Sequence, residues 1–276
     1  MKKNAKYILT MLLLISVPAA FAEVDPNQEP FIFVQLTDPQ LGFGGYEHDV
    51  NSLEQAVKQI NSLKPDLVVI CGDLVHDFTE KAVADFKRIK SGLTMPCYFA
   101  PGNHDISDNP TAQTLSSYRD AFGEDYFSFE HKGYTFVIAN SSLWKAPLAG
   151  ESEKHDAWFK EKLIAAHNAN SPVFVVQHYP IYANNPDEPN NSFSNLPIVK
   201  RKELLTLIEQ NGVVAVLAGH RHTTNINDYK GIQLVNCEAT SRNNDRRPLG
   251  FRVWQVSPKA VKHEFVPLES EKAQVN

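Results

Sequence analysis

Short apolar runs that stop at a polar tip recur five times along this chain. Residues 31–37 end in Asp38, and 67–70 lead through Cys71-Gly72 to Asp73. Residues 96–100 enter Gly102-Asn103-His104-Asp105, 172–177 end in His178, and 213–218 enter Gly219-His220-Arg221-His222. Apolar runs of this length between Gly and Pro predict buried strands. Helical spacing fills the gaps between them. Val50, Leu53, Val57, Ile60 and Leu63 share one face, and Lys64-Pro65 ends that helix. Thr79 is placed to cap a second helix that runs to Lys90 and carries Val83, Phe86 and Ile89. Residues 151–167 and 197–210 predict two more helices, the last ending at Asn211-Gly212. Alternation at 126–130 and 134–140 around Lys132-Gly133 predicts a hairpin, and 232–237, 251–256 and 261–266 predict three late strands. Residues 183–196, rich in Asn, Pro, Asp and Ser, predict a loop beside His178. The pattern gives one α/β domain over 31–268 with two stacked sheets flanked by helices; a division near 170 is the alternative.

The ends of the chain do not follow this pattern. Lys2, Lys3 and Lys6 precede a short apolar stretch and Ala20-Phe21-Ala22, the form of a signal peptide over 1–22. The expected mature chain has a tether at 23–30, a polar tail at 269–276 and no membrane span, and is secreted or periplasmic. Residues 1–22 hold three lysines and no acid, so their removal takes the net charge from −5 to −8. An acidic chain without a basic block argues against general nucleic-acid binding. Three cysteines make no disulfide framework; Cys71, Cys97 and Cys237 lie in apolar runs and read as buried thiols, with a Cys97–Cys237 bridge as the alternative.

The chemistry lies at the tips. Asp38, Asp73, Asn103, His178, His220 and His222 offer two carboxylates, an amide oxygen and three imidazoles, a donor set for divalent Mn, Fe or Zn. One ion takes Asp38, Asp73 and His222; a second takes Asp73, Asn103, His178 and His220, with Asp73 bridging. His104 is not needed as a ligand and is placed to protonate a leaving alkoxide, with Asp105 expected to orient its ring. Arg242, Arg246 and Arg247 read as a solvated loop, with phosphate binding by their guanidinium forks as the alternative. Tyr179 and Tyr182 either wall the pocket or pack.

Taken whole, the order Asp38-x-Gln40, Gly72-Asp73, Gly102-Asn103-His104-Asp105, His178 and Gly219-His220-x-His222 resembles the calcineurin-like metallophosphoesterase superfamily. Thr37-Asp38-Pro39-Gln40, Cys71-Gly72-Asp73-Leu74-Val75-His76, Asn109-Pro110-Thr111-Ala112 and Asp125-Tyr126-Phe127-Ser128-Phe129 are similar to a Ser/Thr-type phosphatase subfamily within it. The resemblance implies a four-layer α/β/β/α sandwich with two metal ions at the strand ends and a bridging hydroxide that attacks phosphorus. It implies phosphomonoester substrates, small phosphate esters or phosphoproteins, with phosphodiesters as runner-up and a non-catalytic phosphate-binding protein as a third reading. Gln40 stands where the superfamily's commonest first motif has His. Either Gln40 or His76 then completes the first metal shell, or His76 has a packing role. Substrate identity and oligomeric state do not follow from the resemblance.

Overall fold

The computed structural model describes residues 28–191 and 193–269. The predicted signal peptide, residues 23–27 of the tether and 270–276 of the tail lie outside them. The chain begins β1 (Phe31–Leu36), α1 (Tyr46–Leu63), β2 (Leu67–Cys71), α2 (Glu80–Lys90), β3 (Cys97–Ala100), α3 (Asn103–Ile106) and α4 (Ala112–Phe122). It continues β4 (Phe127–His131), β5 (Tyr134–Ile138), α5 (Ser142–Lys145), α6 (Glu151–Asn168), β6 (Val173–Val176) and α7 (Ile198–Gln210). Five strands close it: β7 (Val213–Ala218), β8 (Asn225–Tyr229), β9 (Ile232–Asn236), β10 (Gly250–Ser257) and β11 (Ala260–Pro267).

Two sheets form, in the orders β11-β10-β1-β2-β3 and β4-β5-β6-β7-β9-β8. β1, β2 and β3 run parallel in the first, and β5, β6, β7 and β9 run parallel in the second. β2 and β6 are buried along their whole length, so they read as unbroken apolar runs. The two-residue period still sorts their side chains between cores. Val34, Leu36, Val68 and Ile70 face α1, α2 and α4, whereas Phe33, Leu67, Val69 and Cys71 face the other sheet. Val173, Val175 and Val216 pack beneath α6 and α7. The layers are thus helix, sheet, sheet, helix, as the α/β/β/α expectation had it. Among the described residues no helix is long and apolar enough to cross a membrane.

The cysteines follow the main reading, whereas α4 and β8 depart from the pattern for physical reasons. Cys71, Cys97 and Cys237 are free thiols. Cys97 packs on the helix side of the first sheet and Cys237 between the sheets, so the alternative bridge is not formed. Helix α4 lay in a stretch without an assigned element; Thr111 caps it by accepting from the Thr114 N–H, and only Leu115 and Tyr118 are buried, too few for a strong period. β8 is a polar edge strand that pairs only with β9, so the apolar pattern does not reveal it.

Phe33 lies at the centre of the layer between the sheets. Its ring centroid is 5.3 Å from Phe136, 5.0 Å from Phe174 and 5.5 Å from Trp254. Phe33→Ala is expected to lower unfolding free energy by about 3–5 kcal/mol, measured by urea denaturation; a change below about 1 kcal/mol would show that this layer collapses to fill the gap.

Candidate metal centre

Strand order delivers the site. Asp38 follows β1, Asp73 follows β2 and Asn103 opens α3 after β3; His178 follows β6, and His220 and His222 follow β7. These are carboxyl ends of parallel strands, where open α/β sheets place ligands. All six side chains are buried. The sheets are tied together here: both Asp38 carboxylate oxygens accept the His220 N–H, at 2.9 and 3.0 Å, and His178 Nδ1 lies 2.8 Å from the Cys71 carbonyl.

Glycine permits the close approach. A side chain at Gly102 would fall on the Asp73 carboxylate, and one at Gly72, whose φ is +81°, would come within 2.7 Å of the His178 ring. Asp38, Asp73, His220 and His222 themselves hold positive φ, at 47°, 49°, 72° and 50°. The turns after β1, β2 and β7 are so tight that the functional residue takes the left-handed conformation.

The donor set suits metal ions. His178 Nδ1 donates to the Cys71 carbonyl, so its Nε2 presents a lone pair. His220 Nε2 donates to the Phe193 carbonyl at 2.6 Å, so its Nδ1 presents another. These two nitrogens lie 3.1 Å apart, each 3.0 Å from Asn103 Oδ1, and His178 Nε2 is 3.3 Å from Asp73 Oδ1. With both imidazoles neutral, four lone-pair-bearing atoms converge, which a cation resolves. His222 repeats the arrangement: Nδ1 donates to the Arg242 carbonyl at 2.6 Å and Nε2 stands 3.6 Å from Asp38 Oδ1. The donor atoms fall into two groups, Asp73, His178 and His220, and Asp38, Asp73 and His222, with Asp73 common to both.

The residues around this centre depart further from expectation. His104 lines the cavity, and its Nδ1 lies 2.8 Å from the His76 carbonyl, so Nε2 is left for a substrate. Asp105 does not orient that ring. Its two oxygens accept the main-chain N–H groups of Leu74, Val75 and Gly102, pinning the loop after β2 to the loop after β3. His76 belongs to neither donor group; its ring stacks on His104 with centroids 4.6 Å apart. Gln40 lines the cavity, its Nε2 3.4 Å from His76 Nδ1 and its buried Oε1 without a partner. An oxygen donor is thus present where the common motif has imidazole.

A cavity of about 580 Å³ opens over the centre. Phe43, Tyr179 and Phe193 wall it, and Lys145 is its cation. The three arginines whose alternative reading is phosphate binding are not on its wall. Arg242 lies 5.4 Å over the Phe43 ring and its side chain is exposed, Arg247 pairs with Glu238 and Asp245, and Arg246 is exposed. The loop after β9 contributes Asn244 to the wall instead. Lys145 was missed because Ser142–Lys145 is one short helical turn distant in sequence from every strand-end motif. Tyr179 walls the cavity and Tyr182 packs.

Residues 31–224 match the calcineurin-like phosphoesterase family. The chain is a calcineurin-like phosphoesterase. It is 33% identical over 265 residues to serine/threonine-protein phosphatase CPPED1 of Homo sapiens, covering 87% of this chain and 84% of the relative. It is 24% identical to a probable cyclic nucleotide phosphodiesterase of Ruthia magnifica, covering 81% of this chain and 92% of that one. A dimetal phosphatase from Danio rerio superposes with a TM-score of 0.66 at 15% identity, covering 88% of this chain and 98% of that chain, a likeness of fold. Membership makes this protein a hydrolase of phosphoesters, which sets aside the reading of a non-catalytic binding protein.

The phosphoesterase's centre is polarised toward a positive charge. Burial raises the Asp38 pKa against the pull of His222 and His178. Burial also opposes ionisation of Asp73, but His178, His104 and His220 hold it well below the usual carboxylate range. Burial disfavours charge on His178, yet Asp73, Asp38 and the Cys71 carbonyl raise it to about 9. Burial and the neighbouring His178 push His220 down. Burial and the charge of Asp73 raise Asp105 to about 7. At pH 7, then, a proton on His178 stands where an ion would, and an entering ion must expel it. Manganese binding is expected to release about one proton at pH 7 from this site, with apparent affinity rising as pH climbs toward 9. Calorimetry in buffers of different ionisation enthalpy measures this; uptake with no release would show His178 already neutral.

Proposed function

We propose that this phosphoesterase hydrolyses phosphomonoesters of small molecules at a centre of two divalent ions. The convergence of four metal-donor atoms beside His104 supports this reading most directly. Asp38, Asp73 and His222 hold one ion; Asp73, Asn103, His178 and His220 hold the other; Gln40 Oε1 is available to complete the first shell. The ions would be Mn, Fe or Zn, which accept mixed imidazole and carboxylate donors. When bound, such a pair acidifies water and neutralises phosphate charge.

The chain's own residues do the rest. The rigid strand ends fix the ligands in place, so little reorganisation is needed as charge develops. His104 gives its Nε2 proton to the oxygen of the leaving alcohol as the P–O bond breaks. The His76 carbonyl accepts the Nδ1 proton and the stacked His76 ring limits rotation, so Nε2 faces the cavity and carries the transferable proton when the ring is doubly protonated. Burial of the ligands excludes bulk water from the floor of the cavity.

The signal-peptide pattern at 1–22 supports action outside the cytoplasm, where small phosphate esters are met more often than phosphoproteins. The cavity of about 580 Å³ agrees with a small ester. A phosphodiester substrate is the second reading, favoured by the similarity to the probable cyclic nucleotide phosphodiesterase.

Protein stripped of metal and reloaded with manganese should hydrolyse an aryl phosphomonoester faster than the matching diester, with activity lost on stripping. Diester preference would favour the second reading, and activity indifferent to metal would overturn the first. Asp73→Asn is expected to reduce turnover by about a hundredfold or more and to lower bound metal; near wild-type turnover would exclude a shared bridging ligand. His104→Asn should lower kcat by about 10²–10⁴ for esters with poor leaving groups and much less for aryl esters, which leave without a proton. Equal losses on both would remove His104 from the role of acid.

A further inference from the structure

Resting on the two-ion reading above, we infer that Lys145 is a positioning residue for the metal centre: it latches the tip of segment 183–196 so that the Phe193 carbonyl holds His220 with Nδ1 turned to the second ion.

Among its described residues the segment has no helix or strand, yet its base is firmly tied. The Glu188 carboxylate accepts the N–H groups of Ala183, Asn184 and Asn185, at 2.8, 2.8 and 3.3 Å. Arg201, fully buried, donates to the carbonyls of Pro186, Glu188 and Leu196 at 3.0, 2.7 and 2.9 Å. The tip is secured from the opposite side. Lys145 Nζ donates to the Asn191 carbonyl at 3.0 Å and to the Asn195 carbonyl. Phe193 lies between those two residues, and its carbonyl accepts the His220 Nε2 proton at 2.6 Å.

Lys145 is well placed to act as an anchor. It ends α5, directly after Leu143 and Trp144, both of which are buried in the core. Its ammonium also lies 5.3 Å from the centre of the Tyr179 ring. Tyr179 in turn packs against His220, with ring centroids 4.2 Å apart. The latch and the ligand it serves therefore both lie against one aromatic ring.

Tautomer chemistry makes the arrangement consequential. A neutral imidazole ligates through one nitrogen only if its proton rests on the other. For a buried ring that second nitrogen needs an acceptor, and groups of this kind set ring orientation and ligand strength. The acceptors of His178 and His222 sit beside a strand end and in the loop after β9. The acceptor of His220 sits on an irregular segment, and Lys145 fixes its position.

Manganese binding to the full chain, by calorimetry and by metal content after gel filtration, tests this with Lys145→Met and Lys145→Arg. Wild type should take two ions. Lys145→Met should bind one ion as wild type does and the other about ten- to a hundredfold more weakly. Lys145→Arg, which keeps the donors, should recover most of the loss. Two ions of unchanged affinity in Lys145→Met would overturn the inference, as would a change confined to substrate KM. Equal weakening of both ions would do so too, since that marks general damage. Wild type taking fewer than two ions would overturn the two-ion reading itself. If Lys145→Met does not fold, Phe193→Gly, which keeps the carbonyl but frees its backbone, takes its place with the same expectations.

Discussion

Acceptors aimed at one another with no proton between them are what the rest of this structure serves. His178 Nε2, His220 Nδ1, Asn103 Oδ1 and Asp73 Oδ1 repel one another in a buried space. Left alone they would turn away or take up protons. They are kept in place from behind, because main-chain carbonyls of Cys71, Phe193 and Arg242 occupy the far nitrogens of the three histidines. Each of those carbonyls belongs to a different part of the fold. The centre is therefore a property of the whole sandwich and of no single motif.

The sandwich makes such a gathering possible through parallel strands that end on one side. β1, β2 and β3 bring two carboxylates and an amide from one sheet, and β6 and β7 bring three imidazoles from the other. Tight turns and glycines let the two sets come within hydrogen-bonding distance. Asp105 sits beneath as a brace, its carboxylate taken up by three main-chain N–H groups. A residue next to the cavity-lining His104 thus has an architectural duty, which sequence adjacency disguised as a catalytic one.

The layers and the ligand candidates were legible because both follow from local pattern. A buried parallel strand is a short apolar run, and the residue that follows it sits at the carboxyl edge. Asp38, Asp73, Asn103, His178, His220 and His222 all announced themselves in that way, and the structure brings all six together. What stayed hidden depends on contacts between distant segments. Lys145 reaches the cavity from a single helical turn, and Asn244 from a loop whose arginines looked more promising. Arg242, Arg246 and Arg247 have the right chemistry, but the direction of a loop side chain is set by what it packs against, here Phe43, Glu238 and solvent.

The left-handed backbone at Asp38, Asp73, His220 and His222 has an evolutionary consequence. Each of these residues sits in a conformation that glycine adopts more readily, by roughly 1 kcal/mol. The chain holds its ligands against its own backbone preference, and the demand for metal keeps them there. Were that demand lifted, mutation would run downhill: the changes that erase the centre also relax the turns beneath it. Lineages that abandoned catalysis should then carry glycine at these strand ends and melt at higher temperature than those that kept it.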